Sequence, residues 1–96
     1  MPAATRIGDS DVTHCSGMVR AAGSPNVFVN GVGWSRQGDK NTPHLIPRPK
    51  KCRGHAAGIT SGSSTVFVNG KGAGRVGDSI SGCTAVAAGS PNVFAG

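Results

Sequence analysis

The stretch GSSTVFVNGKGAGRVGD, residues 62–78, is one whole copy of a unit that returns, complete or cut, along all 96 residues. A chain built by repetition can fold in few ways. Gly23-Ser24-Pro25-Asn26-Val27-Phe28-Val29-Asn30-Gly31 matches Gly62-Ser63-Ser64-Thr65-Val66-Phe67-Val68-Asn69-Gly70, and Gly89-Ser90-Pro91-Asn92-Val93-Phe94-Ala95-Gly96 is a third copy. Arg-x-Gly-Asp also occurs three times, at Arg6–Asp9, Arg36–Asp39 and Arg75–Asp78. In the two complete units the arginine follows the Asn-Gly glycine by five residues. One supersecondary unit is therefore used three times.

Val66-Phe67-Val68 and residues 71–75 flank Asn69-Gly70, the dipeptide best suited to a type I′ turn because both central residues need positive φ. Each unit reads as a hairpin. Residues 3–6, AATR, stand where GAGR stands in the full unit, so the chain opens on the second half of a unit and closes on the first half, VFAG. Residues 93–95 are then expected to pair antiparallel with residues 3–6, closing a ring of three hairpins. Closure removes exposed sheet edges.

Glycine supplies 16 residues and proline 6, with Leu once and Tyr and Glu never, which favours short strands and turns over helices. The expectation is one all-β domain over residues 1–96 without an extension domain, near the size where an apolar core alone is marginal. No run approaches a membrane span, and MPAATRIGD lacks the layout of a secretion signal, so synthesis in a cytosol, with any exit by another route, is expected. The net charge of +6 admits an acidic surface or nucleic acid as partner. Nucleic acid is disfavoured, since no basic helix and few aromatics accompany the charge. The run Arg48-Pro49-Lys50-Lys51-Cys52-Arg53 reads first as a solvated loop face.

The segments between each Asp and the next Gly-Ser are unequal, and the middle one, residues 40–61, is the longest. Its prolines Pro43, Pro47 and Pro49 argue for an irregular extended loop. Counting five residues on from Asp9, Asp39 and Asp78 reaches His14, His44 and Cys83, all zinc-ligand types, in one register of three repeats. Around a pseudo-threefold axis these side chains converge. A tetrahedral site needs a fourth ligand, for which His55, in the longest segment, is preferred to Cys52. Four protein ligands leave no open position, so the cofactor expected is one structural zinc ion. Its binding would contribute on the order of 10 kcal/mol or more to folding.

Phe28, Phe67 and Phe94 share one repeat position and would form a threefold aromatic layer, the core reading being preferred to partner docking. Alternation sets Phe and the flanking valines on opposite faces without saying which is outward. Trp34, with Ala73 as its counterpart, is a filler or a single exposed contact. The Gly-Asp pairs read as turn formers whose carboxylates cap nearby amides. No catalytic residue is identified and no small-molecule substrate is expected; a Cys/His hydrolase using Cys15, Cys52 or Cys83 is disfavoured because no nucleophile turn is recognisable.

These residues together resemble the PAAR-repeat family, the small proteins that sharpen the spike of contractile injection machines. The resemblance covers the whole chain and rests on Val-Phe-Val-Asn-Gly twice, Arg-x-Gly-Asp three times, and the histidines and cysteine five residues beyond. The eponymous Pro-Ala-Ala-Arg is degenerate here, reading AATR, GWSR and GAGR. The resemblance implies a small conical, pyramidal fold stapled near its point by a metal on three histidines and a cysteine, hence His14, His44, His55 and Cys83. It also implies that the broad end caps a trimeric β-helical spike protein, one copy per trimer, and that the point meets a target cell envelope. The expected face is built from the hairpins, with Val27, Phe28, Val29, Val66, Phe67, Val68, Val93 and Phe94 as candidates, and residues 40–61 lie at the point. A bare tip of a virion tail spike is preferred to a type VI secretion tip that recruits effectors.

Overall fold

A computed structural model describes residues 1–13, 17–42, 44–47, 52–81 and 83–96, with 44–47 and 52–55 as backbone only. It contains no helix among them and six short strands: β1 (Phe28–Val29), β2 (Val32–Gly33), β3 (His44–Pro47), β4 (Cys52–His55), β5 (Phe67–Val68) and β6 (Lys71–Gly72). The strands form three antiparallel hairpins, β1–β2, β3–β4 and β5–β6.

Two hairpins are the repeat units. Val29 pairs with Val32 and Val68 with Lys71, so two-residue turns close them. Asn30 and Gly31 have φ of 53° and 79°, Asn69 and Gly70 of 53° and 78°. Those are the type I′ values that the sequence demands. The third unit is assembled from the two ends of the chain. Phe94 pairs antiparallel with Ala3, Ala4 N–H donates to Val93 C=O at 2.9 Å and Ala95 N–H to Pro2 C=O at 3.0 Å.

The expected ladder between 93–95 and 3–6 stops short of residues 5 and 6, and the reason lies on the axis. Three segments in the same repeat register bond cyclically: Thr5 N–H to Gly74 C=O at 3.1 Å, Gly74 N–H to Ser35 C=O at 2.8 Å, and Ser35 N–H to Thr5 C=O at 3.0 Å. The bridges Ala4–Arg75, Arg6–Trp34 and Arg36–Ala73 repeat the same threefold relation. Thr5 and Ser35 are wholly buried, so this triangle is the pseudo-threefold axis seen in backbone hydrogen bonds. A Cβ on Gly74 would meet Ser35 O at 2.5 Å and Thr5 Cγ2 at 2.9 Å, which explains why the third repeat carries glycine there.

From the triangle each chain segment enters an Arg-x-Gly-Asp turn. The Asp N–H returns to the Arg C=O at 2.9, 2.9 and 3.1 Å, with φ of 92°, 87° and 92° at Gly8, Gly38 and Gly77. This is a type II turn, which needs positive φ at its third residue. Asp Oδ2 accepts the Arg backbone N–H in all three, at 2.8, 2.8 and 2.7 Å, as the turn reading expects. The sequence reading did not foresee that each guanidinium also grips its carboxylate, with ion pairs Arg6–Asp9, Arg36–Asp39 and Arg75–Asp78 at 2.7–2.8 Å.

Beyond the turns lies the core. Ile59, Ile80 and Val86 pack together with Ala57, Val76 and Cys83 against them. Counted in repeat register, Arg20, Ile59 and Val86 are equivalent, each three residues before a Gly-Ser, and Asp11, Asn41 and Ile80 are equivalent, each two residues after a Gly-Asp. All six are at most 3 % exposed. The interior is thus half apolar and half an ion-pair network in which Arg20 Nη2 donates to Asp11 Oδ2 at 2.8 Å, Arg20 Nη1 to Asp39 C=O at 3.0 Å and Asn41 Nδ2 to Asp11 Oδ2 at 3.1 Å.

The reading of residues 40–61 as an irregular loop is corrected. β3 and β4 form the longest ladder, pairing His44 with His55, Leu45 with Gly54, Ile46 with Arg53 and Pro47 with Cys52. Pro47 falls at the end of its strand, where a missing N–H costs little; Pro43 and Pro49 lie outside the described residues. Pro47 ends a short strand here instead of preventing one.

Candidate metal centre and docking face

Of the four candidate ligands, His14 lies outside the described residues, as does the neighbouring Cys15. His44 and His55 are direct backbone partners across the β3–β4 ladder. Cys52, the rival to His55, is paired with Pro47 at the other end of that ladder. Three strand residues separate it from His55, roughly 10 Å at the usual rise. The hairpin therefore brings the two candidate histidines together and sets Cys52 apart from them.

Cys83 is half-buried, its N–H donating to Ile80 C=O at 3.0 Å so that the backbone folds it back over the core. Burial pushes its thiol up from the ordinary range, opposed by a hydrogen bond with the Asn41 side chain, while the Asp11 charge adds to the push and Arg20 opposes it. The polar half of the core is thus in direct electrical contact with a candidate ligand. Among the described residues no cluster of three or more His, Cys, Asp or Glu is assembled. The donor chemistry nonetheless fits a closed zinc site: a cross-strand histidine pair, a thiol held by an amide, and a buried acceptor, Asp11 Oδ1, without a partner among the described residues.

The core reading of the phenylalanines is corrected. Phe28, Phe67 and Phe94 are 58 %, 61 % and 47 % exposed, whereas Val29, Val68 and Ala95 beside them are at most 2 % exposed. The small residues fill the tight space inside the ring of hairpins and leave the rings outside. Val27, Val66 and Val93 are half-buried. Of the hairpin candidates, then, the three Phe offer most surface, and Val29 and Val68 offer none. Trp34 is half-buried and its indole N–H donates to Gly74 C=O at 2.9 Å, which makes it a filler with a polar tether.

Between the hairpins runs a polar belt that sequence reasoning missed. Ser24 Oγ donates to Asn69 Oδ1 and Ser90 Oγ to Asn30 Oδ1, both at 2.6 Å, and Ser63 Oγ donates to Gly96 C=O. Asn30 Nδ2 reaches Asn92 Oδ1 and Asn69 Nδ2 reaches Asn26 Oδ1, each at 2.9 Å. Each Ser Oγ also caps the backbone N–H three residues on, at 2.8–3.0 Å, which is why Gly-Ser opens every unit. The signal was present in the recurrence of Ser and Asn at one register.

Three hairpins closed around one axis, with apolar rings outward and histidine and cysteine residues in the connecting segments, define a small β-repeat domain. The PAAR motif matches residues 7–81 and 50–96, and the chain belongs to the PAAR-motif family. That family provides the spike-tip proteins of contractile injection systems, type VI secretion among them. A search among curated proteins found no significant match.

Proposed function

We propose that one copy of this chain caps the end of a trimeric β-helical spike protein in a contractile injection machine, read here as a phage tail, and forms the point that meets the target envelope. The observation that carries this reading is the set of exposed phenylalanines, Phe28, Phe67 and Phe94, at equivalent positions around the Thr5–Ser35–Gly74 triangle. A symmetric trimer ends in three identical surfaces, and a single chain with three near-identical hairpins can meet all of them. Each buried Phe is worth about 1.5–3 kcal/mol.

On the same reading, His14, His44, His55 and Cys83 hold one structural zinc ion. The metal would tie the loop after each Arg-x-Gly-Asp turn to the β3–β4 hairpin and supply folding energy, without an open coordination position for chemistry. Native mass measurement of the complex with its trimer tests the docking: a 1:3 assembly is expected, and three copies per trimer would overturn it. Elemental analysis tests the metal, with about one zinc per folded chain expected.

A further inference from the structure

We infer that Asp11 is a positioning residue for the metal, its Oδ1 accepting the ring N–H of a ligating histidine; this deepens the zinc reading above and depends on it. Asp11 is 2 % exposed. Its Oδ2 takes both Arg20 Nη2 and Asn41 Nδ2, while Oδ1, equally buried, has no partner among the described residues. A buried charged acceptor left without a donor forfeits its hydration with nothing in return, so a donor is due at that atom.

The surroundings say which donor. Asn41 bonds the Cys83 thiol and Asp11 together, and its Oδ1 is held by Ala57 N–H at 2.9 Å. Asp11 therefore belongs to the support of a candidate ligand and also neutralises Arg20. Repeat register sharpens the point. The position two residues after Gly-Asp is Asp11, Asn41 and Ile80, and the position five residues after is His14, His44 and Cys83. Where the outer position is cysteine, the inner one is apolar; where it is histidine, the inner one is polar. A ligating thiolate has no second proton to place. A ligating imidazole has one, on its other nitrogen, and a carboxylate acceptor there fixes the tautomer and strengthens the ligand. In the third repeat, Ile80 C=O accepts Cys83 N–H at 3.0 Å, so the local turn brings the outer residue back to the inner one.

A role for Asp11 as counter-ion of Arg20 alone would also make it important for stability, so the test reads the imidazole itself. Nitrogen-15 correlation spectra of the zinc-loaded full chain should show one slowly exchanging histidine ring N–H with a nuclear Overhauser contact to the Asp11 β protons. In Asp11→Asn that signal should shift and exchange faster, and zinc affinity by chelator competition should fall about 10–100-fold. Asp78→Asn, which loosens a different part-buried ion pair, should leave the signal in place. An unmoved signal in Asp11→Asn, or an equal shift in Asp78→Asn, overturns the inference while the zinc site stands. If Asp11→Asn does not fold, the wild-type contact decides, and its absence overturns the inference. Wild-type protein that folds without zinc overturns the metal reading itself, and the inference with it.

Discussion

Phe94 lies opposite Ala3 in an antiparallel bridge, the cross-strand relation that Phe28 has with Gly33 and Phe67 with Gly72. The next pair inward is Ala95 with Pro2, joined by a 3.0 Å hydrogen bond. Gly96 and Met1 then stand where the other hairpins carry Asn30-Gly31 and Asn69-Gly70, and a Cβ on Gly96 would lie 3.7 Å from the Met1 sulfur.

A chain joined head to tail through Gly96→Asn and Met1→Gly, and opened instead between Gly70 and Lys71, should therefore fold to the same structure. The joined dipeptide is the best type I′ former, and opening a surface turn is well tolerated. Matching amide spectra and an unfolding free energy within about 2 kcal/mol of the parent are expected. A collapsed, poorly dispersed product would mean that the third hairpin does not share the register of the others.

Gly74→Ala tests the axis. The added methyl would press on Ser35 O at 2.5 Å and on Ile59 Cδ1 and Thr5 Cγ2 at 2.9 Å, with backbone on one side and core on the other. Overpacking of this kind costs about 1–3 kcal/mol. For a domain of this size that is a fall in melting temperature of about 4–8 °C for each kcal/mol. Gly31→Ala should also destabilise, through its φ of 79° alone, since nothing lies within 4 Å of a Cβ there.

Arg20→Ile gives this repeat the residue that the next one carries at Ile59, yet it should weaken the fold. Removing the guanidinium leaves Asp11 charged and buried, a loss of about 3–5 kcal/mol. Urea denaturation should show the midpoint falling with little change in slope. A neutral result would mean that the pair is no more than an alternative to an apolar core at this position.

These tests follow the line between what the chain states locally and what it states only through its partners. Asn-Gly turns and the Arg-x-Gly-Asp turns were legible because they depend on φ at one or two residues. The closed ring was legible from the split unit, but a strand has two edges, and the pairing of Thr5 with Ser35 and Gly74 had no counterpart in any single repeat. Alternation could not say that Val29 and Val68 face in and the Phe side chains out, because both faces of the hairpin are apolar. Arg20 and Asp11 carry no local signal of burial, and their place in the interior shows only once their register with Ile59, Val86 and Ile80 is counted. His14, His44 and Cys83 stand in one register of the sequence, whereas the pairing of His44 with His55 was hidden because three nearby prolines argued against strands.

Replacing His55 or Cys83 should lower thermal stability sharply if the zinc reading holds, since a lost structural ligand is lost folding energy. Cys15→Ser and Cys52→Ser should do much less, Cys52 being set at the Pro47 end of the β3–β4 ladder. Melting curves with and without a zinc chelator separate the cases: the chelator should lower the midpoint of wild type and of the Cys52 variant, and barely change that of the Cys83 variant. A Cys52→Ser variant as damaged as Cys83→Ser would transfer the fourth ligand position to Cys52.

The docking face yields a graded expectation. Phe28, Phe67 and Phe94 are about half exposed, so Phe→Ser at one, two or all three positions should leave the isolated chain folded. On the proposed docking, each substitution would remove an equivalent apolar contact with one subunit of the trimer, worth about 1.5–3 kcal/mol when fully buried. Binding should therefore weaken about 10–100-fold per position, in near-equal steps, because the three sites are separate and contacts without shared partners add. Val29→Ala and Val68→Ala supply the contrast. Both side chains are 2 % exposed, so these changes should reduce stability while leaving the affinity of the folded fraction almost unchanged. Calorimetry of each variant with the trimer measures affinity and stoichiometry together. Undiminished binding by the triple Phe variant would move the docking face elsewhere on the chain. Loss of binding confined to one of the three positions would show that the trimer is met asymmetrically.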